Sequence, residues 1–325
     1  MSATMRAGVA TEAGLAIREV SRPVPGDEQV LVKVAAAGMN RADLNAARGA
    51  GVATREALGK PIGIEWAGEI VECGKAVKNL RVGVRVMCSG SGGYADYAVA
   101  DEGRTIRLDG LDIEQAAVLP LALMTAHDAV VTQGRLAEGD AVLVHGASSA
   151  VGLMAMQIAR LRGASVIAAT SGDSAKRDKL KPFGATLPLD PADPAWPDLL
   201  LAATGDKGAN VVVDMVSGPS INSVMKASAV LGRIVNVGRL GGTKTEFDFD
   251  LHAAKRLAYV GVTFRTRSLA EIRAILERMK ADLWEAVSAG KLALPIDRSV
   301  PLAEAVDAHE HMRANRHFGK IVLRP

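Results

Sequence analysis

The pattern of apolar and polar positions changes character once, at Ile113. Before that point short β-rich runs (EQVLVKVAAAGM, GEIVECG, VGVRVMC and GYADYAVA) are separated by glycine turns, which predicts the strands of an antiparallel, barrel-like domain. Beyond it, DIEQAAVLPLALMTAHDAVVTQ has helical spacing, and strand and helix signals then alternate. The series runs AVLVHG, VGLMAMQIARLRG, ASVIAAT, SAKRDKLKPFG, ATLPLD, NVVVDMV, RIVNVG and LAYVGVTF. Apolar strands separated by amphipathic helices predict a parallel, doubly wound sheet. After Arg267 comes one long helix, LAEIRAILERMKADLWEAVSAG, then a helix and a last strand within AVDAHEHMRANRHFGKIVLRP.

Length and composition agree with this division. A chain of 325 residues exceeds one ordinary core, so two domains of about 100–200 residues are expected. A formal charge of +3 is mild, no basic stripe concentrates it, and the 3 Trp, 3 Tyr and 5 Phe offer little to stack on bases. Those features favour one anionic small ligand over a nucleic acid. Charges interrupt MSATMRAGVATEAGLAIREV before an apolar signal core forms, and no apolar run is long enough to span a membrane. Cys73 and Cys88 are too few for a disulfide framework or a four-cysteine zinc site, so free thiols in the cytoplasm are expected.

The richest chemistry lies in HGASSAVG. Dinucleotide-binding turns usually read G-x-G-x-x-G, for a tight turn, a close approach to phosphate and helix–strand packing. Here those positions hold Ala147, Ser149 and Gly152, with Gly146 one residue earlier to relieve the turn. The Ser149 hydroxyl is placed either to bond a phosphate or to cap the helix. Apolar Val151, Met154, Ala155, Ile158 and Ala159 give that helix a buried face, so its N-terminus points freed N–H groups at an anion.

Together with other motifs, this turn resembles the zinc-free, zeta-crystallin-like quinone oxidoreductases of the medium-chain dehydrogenase/reductase superfamily. GMNRADLNAARG (Gly38–Gly49) looks like that family's G-x-N-x-A-D motif, and GIEWAGEIVECG, GGYADY and LPLALMTAHDAV follow in order. VLVHGASSAVG matches its phosphate turn, with Ser149 and Ala150 where two glycines are usual, and RIVNVGRLGG, KRLAYVGVTFRTRS and HMRANRHFGKIVL complete the series. The branch that carries N-R-A-D is the most similar. The resemblance covers nearly the whole chain. It implies an α/β protein: a GroES-like β-rich catalytic domain over 1–120 and 267–325, around a Rossmann domain with a doubly wound parallel sheet over 121–266. It also implies NADPH in the cleft and homodimers joined through Rossmann sheet edges.

Zinc-dependent members place cysteine and histidine ligands where this chain has Asn40, Ile64 and Leu121, with Glu65 retained. Asn and Ile lack the thiolate and imidazole donors of such a site, so no metal is expected. His309 and His311, two apart on a helix, read as solvated. Without a metal the protein must align a nicotinamide with an acceptor and supply donors to a developing oxyanion. The resemblance puts Asn40, as the catalytic amide, beside nicotinamide and acceptor; a turn-forming Asn is the alternative. It places Thr125, Ser148, Ser149, Ala150, Val151, Gly152, Thr170, Ser171, Lys176, Gly238, Arg239, Leu240, Phe264 and Asn315 against the cofactor, with Lys176 as the 2′-phosphate lysine. Arg48 is placed to steer acceptors or merely to be solvated.

Two negative signals refine the expectation. An NAD site needs an acid at the tip of the second strand, whereas SVIAAT ends in Ala169 and Thr170, and Asp173 reads as the N-cap of the next helix. The enoyl-thioester reductases of the superfamily use an early tyrosine as proton donor, and no tyrosine precedes Tyr94. The expected activity is NADPH-dependent hydride transfer to a quinone or enone acceptor. An enone or enoyl-thioester reductase and a crystallin-like, non-catalytic nucleotide-binding protein are the alternatives.

Overall fold

The computed structural model describes residues 4–47 and 58–325; Arg48 lies outside them. Two compact units emerge, one reaching Leu121 and resuming at Leu283–Pro325, the other Ala122–Asp282.

The first unit opens with a hairpin that the sequence pattern had not suggested, β1 (Thr4–Thr11) against β2 (Gly14–Ser21). Strand β3 (Gln29–Gly38) follows, then the short helix α1 (Arg41–Ala47). Next come β4 (Glu65–Cys73), β5 (Arg85–Ser89), β6 (Tyr97–Asp101) and β7 (Thr105–Arg107). Val30, Val32, Val34, Trp66, Ile70 and Val86 point from these strands into one core. The long helical stretch expected after Ile113 is broken at Pro120 into α2 (Ile113–Val118) and α3 (Pro120–His127). Pro is tolerated in a first turn, where its missing N–H costs nothing, but not inside a continuous helix.

The second unit alternates strands and helices. Its members are β8 (Ala141–His145), α4 (Ala150–Leu161), β9 (Val166–Thr170), α5 (Ser174–Arg177), β10 (Leu187–Leu189) and α6 (Trp196–Ala203). They continue with β11 (Ala209–Asp214), α7 (Ile221–Ala227), β12 (Ser228–Asn236), α8 (Phe249–Lys255), β13 (Ala258–Gly261) and α9 (Leu269–Ser288). The six strands pair in parallel in the order β10-β9-β8-β11-β12-β13. The order reverses direction between β8 and β11, and a crevice at the carboxyl ends of such strands is where open α/β sheets bind ligands. All five residues of β8 are buried, as a central parallel strand requires. The helix expected over SAKRDKLKPFG stops at Arg177, ahead of Pro182 and of Gly184 with φ of 112°.

The units divide at Asp282/Leu283, inside α9, and not at 267. Ile272, Ile275, Leu276 and Met279 are buried, and Asp282 bonds His127 at 2.8 Å and Arg162 at 2.7 Å, which ties this part of α9 to the parallel-sheet unit. The chain then adds β14 (Ile296–Pro301), α10 (Ala305–Arg313) and β15 (Lys320–Arg324) to the first unit. Its larger sheet has the order β14-β15-β3-β4-β5-β7, with β6 also on β3. Val322 pairs Gly38 antiparallel, and Met39 N donates to Ile321 O at 2.9 Å, so the register carries Lys320 to Asn40.

Candidate active site

Asn40 sits between the end of β3 and the start of α1. Its backbone N–H donates to Asp43 Oδ2 at 2.8 Å, and the Asp43 N–H donates back to the Asn40 carbonyl at 2.9 Å. A carboxylate three residues into a helix that reaches back in this way acts as the acidic half of a capping box. The Asn40 side chain is thereby left for other partners. Nδ2 donates to Glu65 Oε1 at 2.9 Å and to the Gly38 carbonyl at 3.3 Å, while Oδ1 accepts from Lys320 Nζ at 2.8 Å.

Lys320 also forms an ion pair with Glu65 Oε1, and Glu65 Oε2 accepts from the Leu121 N–H at 2.8 Å. The Glu65 side chain is wholly buried and that of Lys320 only 2% exposed. Gly38 makes the approach possible, since a Cβ there would lie 2.5 Å from the Ala117 carbonyl and 2.8 Å from Glu65 Oε1. The four positions weighed as zinc ligands therefore hold an amide, two aliphatic side chains and a carboxylate already paired with an ammonium. Those residues do not fit a zinc ion. Among the described residues no group of three or more His, Cys, Asp or Glu is placed to hold a metal.

Behind Asn40 lies a second buried polar group. The Tyr94 hydroxyl donates to Asp43 Oδ2 at 2.9 Å, and Asp43 Oδ1 has no partner. Burial pushes the Asp43 carboxyl up to about 7, against the pull of the Tyr94 and Asn40 hydrogen bonds. The Tyr94 phenol is raised well above its ordinary value by burial and by the Asp43 charge. A phenol so placed is not an accessible proton donor.

Neither histidine of α10 is the solvated side chain that the sequence suggests. His309 is buried, edge-on to Tyr94 with ring centroids 5.9 Å apart, and His311 is half-buried and bonds Asp297 at 3.2 Å. Ala305, Ala308, His309 and Met312 share the inward face of α10, and burial lowers His309 to about 4. Asn315 ends that helix in the left-handed conformation, with φ of 56°, and its Oδ1 accepts from the Arg41 guanidinium.

In the other unit the turn after β8 is tight. Gly146 has φ of 86°, and a Cβ on Gly152 would lie 2.7 Å from the Ala147 Cα and carbonyl oxygen. Ser149 is the N-cap of α4: its hydroxyl accepts from Gly152 N at 3.1 Å and donates to the Gly146 carbonyl at 2.9 Å. Of the two uses open to Ser149, the structure takes the cap. The N–H groups of Ala150 and Val151, in the first turn, have no acceptor within the helix, and the helix dipole adds partial positive charge there.

Ser148 and Ser171 hydroxyls stand 3.4 Å apart across the ends of β8 and β9. Thr170, expected to offer its hydroxyl to the cofactor, is instead buried: Oγ1 pairs with His145 Nδ1 at 2.8 Å and accepts from Gly146 N at 3.0 Å. It braces the turn from behind. Asp173 caps α5 by accepting from the Lys176 N–H at 3.0 Å, and Lys176 is half-buried.

After β12, Gly238 N donates to the Asp214 carbonyl at 3.0 Å, and a Cβ on Gly238 would meet the Met215 carbonyl oxygen at 2.4 Å. Leu240 N donates to the Met215 carbonyl at 3.2 Å, and Arg239 accepts from Gly242 N at 3.2 Å. Asp214, which the sequence did not single out, takes the N–H groups of Val216 and Ser217, and Ser217 in turn bonds the Gly238 carbonyl. Residues Ser148–Gly152, Thr170–Ser171 and Gly238–Leu240 thus share the carboxyl end of one sheet. Thr125 is buried on α3, and Phe264 follows β13 with the Arg267 guanidinium 5.6 Å from its ring. Asn40 and Asn315 belong to the first unit.

Two family descriptions match this chain, the alcohol dehydrogenase GroES-like domain over residues 26–110 and the zinc-binding dehydrogenase over 150–281. A quinone oxidoreductase of Rattus norvegicus is 30% identical over 94% of this chain and 92% of its own length. A mycocerosic acid synthase-like polyketide synthase of Mycobacterium tuberculosis is 30% identical over 93% of this chain, but that match spans only 14% of the synthase. The crystal structure of a Pseudomonas syringae quinone oxidoreductase superposes with a TM-score of 0.88 at 26% identity, covering 99% of this chain and all of that one.

Proposed function

Because the chain belongs to the quinone oxidoreductase family of the medium-chain dehydrogenase/reductase superfamily, we propose that it is a metal-independent, NADPH-dependent reductase of quinones or related activated carbonyl compounds. The observation that carries the reading is the Lys320 ammonium, bonded to both Glu65 and Asn40. That ammonium holds the one carboxylate retained among the positions where zinc-dependent relatives bind metal.

The nicotinamide cofactor supplies a hydride. The protein's part is to hold that cofactor and stabilise the oxygen on which charge develops. The turn after β8, with the first-turn amides of α4, takes the pyrophosphate; Ser148 and Ser171 line the strand ends beside it. Lys176 takes the 2′-phosphate, and the backbone of Gly238, Arg239 and Leu240 takes the nicotinamide half, with Thr125, Phe264 and Asn315 as further contacts. Asn40 donates to the acceptor oxygen, exchanging its 3.3 Å bond to the Gly38 carbonyl for a stronger one to an oxyanion. Hydride addition to a quinone or enone gives a delocalised anion that water protonates, so the buried Tyr94 is not required.

The test combines metal analysis with cofactor oxidation over quinones, enones and enoyl thioesters. We expect no stoichiometric zinc, full activity in strong chelator and quinones as the best acceptors. Zinc held at one per chain and lost together with activity would sink the metal-free reading; turnover confined to enoyl thioesters would move the substrate class. A second copy of the chain is proposed to pair along β13, one of the two edge strands of the parallel sheet, where Tyr259 is 43% exposed and Val230 and Leu231 on β12 are 54% and 62% exposed. A monomeric mass by light scattering would reject that pairing.

A further inference from the structure

We infer that Lys320 is a positioning residue for the reaction, fixing which end of the Asn40 amide is presented to the acceptor. The inference rests on the proposed role of Asn40 as oxyanion donor and adds the residue that orients it. An asparagine amide has two nearly isosteric ends, one accepting and one donating, and only its partners decide which way it points. Lys320 has donors and no acceptor, so Oδ1 must face it, at 2.8 Å. Glu65 Oε1, an ionised oxygen in an ion pair, has acceptors and no donor, so Nδ2 must face it, at 2.9 Å. The two constraints agree. Reversing the amide would set Nδ2 against an ammonium and Oδ1 against a carboxylate, both repulsive at buried side chains.

The same geometry explains why the three residues are matched. An aspartate at position 40 would bring another carboxylate against Glu65, and a leucine would leave Lys320 short of an acceptor. The Asn40 backbone is fixed independently by Asp43, so Lys320 acts on the side chain rather than on the loop. The groups facing the cluster are Asp43 and Tyr94 behind Asn40, and the Leu121 N–H on the far oxygen of Glu65.

The alternative is that Lys320 merely neutralises Glu65. The double variant Lys320→Met/Glu65→Gln separates the two, because it removes both charges together and leaves no buried ion unpaired. It is read against Asn40→Ala, which identifies the Asn40 side-chain amide signal by its loss. If Lys320 positions Asn40, kcat for quinone reduction falls about 10–100-fold, less than the roughly 100–1,000-fold loss seen when an oxyanion donor is removed outright. The KM for NADPH stays within about twofold, and the Asn40 amide protons exchange with solvent at least ~10-fold faster, as expected once a fixed hydrogen bond is released. Recovery of wild-type kcat and exchange in the double variant would overturn the inference. Should the wild type reduce no acceptor at all, the reductase reading fails, and amide exchange alone still decides whether Lys320 holds Asn40.

Discussion

The half-buried turn after β8 and the buried ion pair beside Asn40 are both polar constructions, yet they draw their atoms from different sources. The turn is made almost entirely of backbone and small side chains within one local stretch, Gly146 to Gly152, braced by Thr170 from the neighbouring strand. The cluster is made of side chains from residues 40, 65 and 320, joined by the register of β15 on β3 and of β3 on β4. A backbone site resists substitution by shape, because an added Cβ has nowhere to go. A side-chain site resists it by charge, because removing one partner strands another in a low-dielectric interior. Variants that add bulk to the turn should therefore lose ligand affinity before stability, and variants of the cluster should lose stability first.

The sharpest break in that comparison is Lys320→Met alone. Glu65 would keep its charge with no cation, at a side chain that is fully buried. Removing one member of a buried ion pair destabilises by about 3–5 kcal/mol, so the urea midpoint should fall steeply. An unchanged midpoint would mean that Glu65 takes up a proton at little cost.

Asp43 gives the next largest effect, and its sign is fixed. The folded carboxyl is raised from 3.8 to about 7. The folded state thus holds this proton more tightly than the unfolded chain does. Its contribution to stability is complete below about pH 4 and is lost as pH rises to about 7. Asp43→Asn keeps a group of the same shape without that titration. The stability of the variant relative to wild type should rise by up to about 4 kcal/mol between pH 4 and 7.5, at 1.36 kcal/mol per unit. His309, lowered to about 4, runs the opposite way but is common to both proteins and cancels. A flat difference across that range would show that Asp43 is ionised throughout.

This contrast also sets what was legible in the sequence. The parallel unit announced itself, because each strand and helix carries its own periodicity and the turn chemistry is written in consecutive residues. The Asn40 motif and the retained Glu65 were visible, but Lys320 was not. A lysine next to IVL in a closing strand looks like an exposed end, and only the pairing of β15 with β3 buries it. The burial of His309 is hidden for a similar reason. Two histidines on one helix do not reveal which faces the core until Ala305, Ala308 and Met312 are seen beside it. The tip of β9 suggests a hydroxyl for the ligand at Thr170, whereas the His145 ring turns that hydroxyl inward. The β1–β2 hairpin is hard to see in the sequence because its charged positions interrupt the apolar run.

Cofactor choice tests the backbone site through the Lys176 side chain. Asp173 is committed to capping α5, which leaves the tip of β9 without a dedicated ribose acid. If Lys176 holds the 2′-phosphate, Lys176→Ala loses a charge-assisted hydrogen bond of about 1.5–3 kcal/mol. The KM for NADPH should rise roughly ten- to a hundredfold, with NADH nearly unaffected. A wild type that prefers NADH would reverse the assignment and make Asp173 the ribose partner.

The smallest expected effect separates the two uses of Ser149. Its hydroxyl has one proton, and that proton goes to the Gly146 carbonyl at 2.9 Å. A phosphate oxygen, being only an acceptor, would need the same proton. The oxygen meanwhile accepts from Gly152 N at 3.1 Å, as an N-cap does. Ser149→Ala should therefore cost about 1 kcal/mol of stability, the usual loss for a cap, and change the KM for NADPH by less than about twofold. Ser149→Leu places bulk where the backbone must approach the pyrophosphate and should weaken NADPH binding severely with the fold intact. If the alanine variant instead lost tenfold in NADPH affinity at unchanged stability, the hydroxyl would be a phosphate ligand, and the turn would be a side-chain site after all.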